Sequence, residues 1–154
     1  MAPDGRKVIV IEDFANTGLS LKDNSYESTL EFYFLPDSEC KYVGASAFKG
    51  SDAINIFLPD TIRYIMDNGF QEARKLETVN LNDNIVYIGS FAFASGSQMK
   101  VNIEELPLNL EYLGSQAFAR SGPNVKCSRI PDKLKELPGY GFWYCPNVTI
   151  NTLP

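Results

Sequence analysis

The chain is predicted to fold as a mainly-β stacked solenoid, and one recurring pattern carries that prediction. Phenylalanine returns at Phe48, Phe70, Phe93, Phe118 and Phe142, in steps of 22, 23, 25 and 24 residues. Twelve or thirteen residues before each stands an aliphatic residue, usually followed by proline: Leu35-Pro36, Leu58-Pro59, Leu81-Asn82, Leu106-Pro107 and Ile130-Pro131, with a sixth pair at Leu153-Pro154. Self-similarity at this period means coils that bury their apolar faces only against neighbouring coils. Composition agrees: 154 residues suffice for one domain, and 44% hydrophobic with 21% charged residues is ordinary for a globular chain.

Residues 1–29 do not match the pattern and are read as an N-terminal cap, since the terminal units of a solenoid need a polar outer face. Within them Lys7 to Glu12 alternates weakly, and Gly18 to Lys22 is a candidate partner strand. The repeats occupy residues 30–154, about five coils and a partial last one.

The third copy shows the design of a coil. In Leu76 to Leu81, Val79 and Leu81 alternate with Thr78 and Asn80, the period-two signature of a half-buried strand. Proline after the aliphatic residue ends this strand, because it cannot donate to a ladder. Asp37, Asp60, Asp83 and Asp132 follow as turn formers. A second strand turns Ile85 and Ile88 inward, and Gly89 marks a bend also found at Gly44 and Gly114. Ala92-Phe93 then sets a large ring beside a small residue, which lets successive rings stack. One coil buries about five apolar residues for roughly 10 kcal/mol, while ordering over twenty residues costs about 1–2 kcal/mol each. A single coil cannot fold alone.

Local signals compete with this scheme at one corner. Asn68-Gly69 looks like a hairpin turn, but Phe70 falls in the ring register, so the coil continues through it. The stretch Asp67 to Leu76 has helical composition, which predicts a single helical or 3-10 turn at the corner. In later copies Val101-Asn102-Ile103, Val125-Lys126-Cys127 and Val148-Thr149-Ile150 form a variant strand whose inward register is shifted, with a bulge to absorb the mismatch.

Cys40, Cys127 and Cys145 fall at positions filled elsewhere by aliphatic or small residues, so they are read as reduced core fillers. The net charge of −5 argues against a nucleic-acid binder or an electrostatic membrane anchor. Val8 to Ile11 is too short an apolar run to cross a bilayer or to serve as a secretory signal. The chain has no histidine, which removes Ser-His-Asp and Cys-His pairs and the usual zinc sets. No phosphate-binding glycine loop is present. Glu104 and Glu105 are adjacent on a strand and should point to opposite faces, unlike a glycosidase carboxylate pair. Asn147-Val148-Thr149 fits a glycosylation acceptor or a turn leading into a strand. No catalytic, cofactor or metal-binding residue is assigned.

The copies Leu58-Pro59-Asp60-Thr61-Ile62-Arg63-Tyr64-Ile65 and Ile85-Val86-Tyr87-Ile88-Gly89-Ser90-Phe91-Ala92-Phe93 resemble the BspA-type leucine-rich repeat. That unit reads aliphatic-x-x-Ile-x-Leu-Pro, then aliphatic-x-x-Ile-Gly-x-x-Ala-Phe, often with cysteine three residues on, as at Cys145. The resemblance implies a right-handed leucine-rich-repeat solenoid with two parallel β faces. It also implies protein recognition, adhesion or surface display, and a secreted or cell-surface location.

Two outward rows are candidate partner-binding surfaces. Tyr42, Tyr64, Tyr87 and Tyr112 share one position, continued by Glu136, and should stack at about 4.7–4.9 Å intervals. The row is either a binding stripe or a stabiliser of the solenoid. The residues before each aliphatic-proline pair form the second row: Phe34, Phe57, Asn80, Glu105, Arg129 and Thr152. Phe34 and Phe57 either anchor a partner or lie under the cap. The open C-terminal coil offers a third surface, for self-association or simple fraying. The expected function is therefore a non-catalytic protein-protein interaction or adhesion module, with a structural subunit of a cell-surface array or virion as the alternative. A carbohydrate-active β-solenoid would need cleft-building insertions that this chain lacks.

Overall fold

In the computed structural model the described residues are 7–10, 30–34, 38–95 and 99–150. Eight short strands form two parallel sheets. The first is built from β1 (Lys7–Val10), β2 (Leu30–Tyr33), β4 (Ala53–Phe57) and β6 (Thr78–Val79), in that order. The second is built from β3 (Tyr42–Val43), β5 (Tyr64–Ile65), β7 (Tyr87–Ile88) and β8 (Tyr112–Leu113). Consecutive strands of the chain thus alternate between sheets from β2 to β7, as a repeat solenoid requires. β1 pairs with β2 as Lys7↔Leu30, a separation of 23 residues, so the segment read as a cap contributes a strand to the first sheet. The candidate strand at Gly18 to Lys22, Leu35 to Asp37 and the Leu153-Pro154 pair lie outside the described residues.

One hydrophobic cluster unites both sheets. It takes Ile56 and Val79 from the first, Val43, Ile65, Ile88 and Leu113 from the second, and the ring column at one corner. Phe48, Phe70, Phe93 and Phe118 are fully buried. Successive centroids from Phe48 to Phe142 lie 5.2, 4.9, 5.1 and 5.4 Å apart, with ring planes within 11° of parallel. The small residues of the Ala-Phe pairs, Ala47, Ala92 and Ala117, are fully buried beside them.

The corners carrying these rings are not helical or 3-10 turns; they are stacked turns in which positive φ recurs at residues four apart, on either side of the ring. Asn68 and Glu72 have φ of 60° each, Phe91 56°, Gln116 54°, Arg120 57°, Tyr140 61° and Tyr144 57°. The backbone donors alternate in direction along each turn. Gly69, Gln71 and Ala73 donate three residues back to Met66, Asn68 and Phe70. The intervening Asn68, Phe70 and Glu72 donate to Ser90, Ala92 and Ala94 of the next coil, at 2.9, 2.7 and 2.9 Å. A helix would direct every donor backward and leave the coils unjoined at this corner, so tertiary pairing overrides the helical composition of this stretch.

The glycine after the second strand is required by close approach rather than by a bend. An added Cβ at Gly114 would stand 2.3 Å from Ser90 N and 2.4 Å from the Gly89 carbonyl carbon. At Gly89 it would stand 2.6 Å from Asp67 N. Side chains tie the turns following the first strands. Thr61 Oγ1 donates to Cys40 O (2.7 Å), Asn82 Nδ2 to Pro59 O (3.2 Å) and Asn84 Nδ2 to Asp60 O (3.0 Å). Asp83 Oδ1 accepts from Leu108 N (2.9 Å).

The bulge in the fourth copy falls at the two glutamates. Thr78 bridges Asn102, 24 residues on, whereas Ile88 pairs with Leu113, 25 on. The extra residue lies beyond Asn102, and Glu104 and Glu105 are both exposed between buried Ile103 and Leu106. The expectation that they face opposite ways is corrected: the strand is broken there, so strict alternation no longer applies.

Candidate interaction surfaces

Parallel pairing in register, Tyr42↔Tyr64, Tyr64↔Tyr87 and Tyr87↔Tyr112, brings the four tyrosines into one row on the second sheet. Tyr42 and Tyr64 stack at 4.8 Å and Tyr87 and Tyr112 at 4.6 Å. Between the pairs, Tyr64 and Tyr87 stand 6.5 Å apart and are tilted by 47°. The expected uniform interval is therefore interrupted once. Backbone pairing is intact at this step, so the break is a side-chain rotation, which half-exposed rings can make and the buried phenylalanines cannot. Tyr42 and Tyr112 are 43% and 41% exposed. Burial raises the Tyr87 hydroxyl above its ordinary value of 10.0, with the Asp67 carboxylate and then Tyr112 adding to the effect. Glu136 is exposed, outside any strand.

On the first sheet, Phe34 and Phe57 are half-buried, and Phe34 packs against the core. Asn80 is exposed, but its amide is tied to the preceding coil. Its Oδ1 accepts from Leu58 N (2.6 Å) and its Nδ2 donates to Leu58 O (2.8 Å). Glu105 reaches forward instead, accepting from Ser128 N (3.2 Å) and from Ser128 Oγ. Arg129 is exposed and Thr152 lies outside the described residues. This row therefore holds coil-to-coil hydrogen bonds as well as outward groups, and its side chains are less uniformly presented than the tyrosines.

The three cysteines are buried and free. Cys145 Sγ donates to Phe118 O (2.8 Å), and Ser121 Oγ, at the same place one coil earlier, donates to Phe93 O (2.7 Å). The position holds small residues, and where it carries a hydroxyl or thiol in the last two coils that group satisfies a carbonyl of the preceding coil. Burial pushes the Cys127 and Cys145 thiols up, away from the thiolate.

One aromatic surface escaped the sequence reading. Tyr140 and Tyr144 are 70% and 68% exposed, and Trp143 lies between them, 6.1 Å from Tyr140 and 4.9 Å from Tyr144. The Arg120 guanidinium lies 4.8 Å from the Trp143 ring centre and 5.4 Å from that of Tyr144. These residues belong to the corner turns, in which Arg120, Tyr140 and Tyr144 have positive φ. The available signal was the aromatic run Tyr140 to Tyr144 itself, but neither strand nor helix periodicity marks such a position.

Among the described residues no helix is long and apolar enough to cross a membrane. A family model for the BspA type leucine-rich repeat region matches residues 19–149, in six copies. No curated protein and no solved structure matches the chain.

Proposed function

The chain belongs to the BspA-type leucine-rich repeat family, and from that premise we propose that it is a non-catalytic protein-interaction or adhesion module. On this reading it is a right-handed solenoid of about five coils and a partial sixth, with residues 1–29 capping the first. The observation that carries the proposal is the tyrosine row, a contiguous, outward aromatic surface held on paired strands. Tyrosine gives large contact area for little conformational entropy, and a row whose backbone is fixed by strand pairing adds little ordering cost on binding. Phe34, Phe57, Asn80, Glu105 and Arg129 flank the same recognition function on the other sheet.

The test is capture of partners from the native source, with mass measurement of the complex, by the intact chain and by Tyr42→Ala/Tyr112→Ala. These two rings are the more exposed of the row, and their removal should lower partner affinity at least about tenfold. Undiminished capture removes the stripe from recognition. A second reading, a structural subunit of a cell-surface array or virion, is favoured by the exposed apolar Leu137 and Ile150 on either side of Phe142 in the sequence. It predicts self-association in sedimentation at high concentration, whereas a module stays monomeric until its partner is added.

A further inference from the structure

A groove of about 220 Å³ lies on the corner turns, and none of the row tyrosines lines it. Its floor is Ala94 and Ala119, both buried. Gln71 and Trp143 occupy the same row one coil earlier and one coil later, so two small residues between two large ones leave the trough. Phe91 and Gln116 line it on one side and Arg120 on the other.

Three observations give the groove a chemistry. Arg120 is exposed, and among the described residues no carboxylate pairs with it, whereas Glu72 at the far end is held by Arg74 at 2.8 Å. The Trp143 and Tyr144 rings lie against the guanidinium and restrict its orientation, while its N–H groups have no carboxylate partner among the described residues and can donate to one. Second, Gln71 Oε1 is buried without a donor, a group that a main-chain N–H can satisfy once the side chain turns toward the trough. Third, the wall residues Phe91, Gln116 and Arg120 all have positive φ. Their side chains wall the trough, which glycine, the residue that adopts this conformation at lower cost, would leave open.

We propose that this groove binds an extended segment of a partner protein through an acidic side chain, its carboxylate on Arg120 and a neighbouring apolar side chain over Ala94 and Ala119. The inference rests on the protein-interaction reading above but uses a different face. The probes are end-blocked pentapeptides differing only in a central Glu or Gln, added to the ¹⁵N-labelled protein and followed by NMR. The Glu peptide should shift the Trp143 indole and the Gln116 side-chain amide, and the Gln peptide should bind at least about tenfold more weakly, the equivalent of one charge-assisted contact.

Arg120→Gln should show the same loss, and Lys135→Gln, which removes an exposed charge elsewhere, should not. Gln116→Gly should keep or raise the melting temperature, because its φ is 54°, while weakening the peptide. Equal binding of the two peptides, or an unaffected Arg120→Gln, overturns the proposal. So does binding of sialyllactose without either peptide, which would make the ligand an acidic sugar. Capture of a protein partner through the tyrosine row with the groove resonances unmoved overturns this inference and leaves the proposed function standing.

Discussion

Replacing Phe93 by alanine tests the physics of the whole solenoid, because this ring has neighbours on both sides. It is fully buried, 4.9 Å from Phe70 and 5.1 Å from Phe118. Truncating a buried phenylalanine costs about 3–5 kcal/mol, and each ring pair adds roughly 0.5–1.5 kcal/mol beyond burial. The expected loss is therefore about 5 kcal/mol, comparable to the entire stability of a small domain at about 5–15 kcal/mol. Phe142 is half-buried and stacks at 5.4 Å on Phe118 alone within the column. Phe142→Ala should cost only about 2–3 kcal/mol.

Urea titrations of both variants, read by far-ultraviolet circular dichroism and by Trp143 fluorescence, give the comparison directly. Should Phe93→Ala be unfolded in water, Phe93→Leu and Phe142→Leu preserve the ranking at roughly 1–2 kcal/mol and less. Equal losses at the two positions, or a loss below about 1.5 kcal/mol for Phe93→Ala, would refute the idea that nearest-neighbour ring stacking binds coil to coil.

Gly114→Ala should cost roughly 3 kcal/mol in thermal melts, since its Cβ meets backbone at 2.3 Å, while Gly139→Ala, with nothing within 4 Å, should be neutral or slightly stabilising. The raised Tyr87 hydroxyl contributes stability that is fully present below the unfolded value of 10.0 and is lost as pH rises through the folded value. Urea unfolding at about pH 9 and about pH 11 should therefore fall more steeply for the intact chain than for Tyr87→Phe.

Much of the fold was legible because it depends on sequence period. The inward phase of Val79, Ile85 and Ile88, the ring column, and the common row of the tyrosines all follow from placing equivalent residues above one another. Such reasoning stops where a position is defined by its neighbour in space. The first-strand row shows this: Asn80 and Glu105 align as outward residues, yet each hydrogen-bonds an adjacent coil, at Leu58 and Ser128. The groove is a clearer case, since Ala94 and Ala119 look like unremarkable small residues until Gln71 and Trp143 are stacked on either side of them.

The sequence by itself determined that equivalent side chains stack, which rings lie inside and which rows face out. Only the tertiary structure decided how the corners are built and where Glu104 and Glu105 point. At the corners, the helical composition of Asp67 to Leu76 yields to turns with positive φ at Asn68 and Glu72, because half of the backbone N–H groups must reach the next coil. Local propensity is worth tenths of a kcal/mol per residue, whereas an unmet buried N–H costs about 1–3 kcal/mol. The larger quantity wins, and it depends on a partner about 22 residues away that no local window contains.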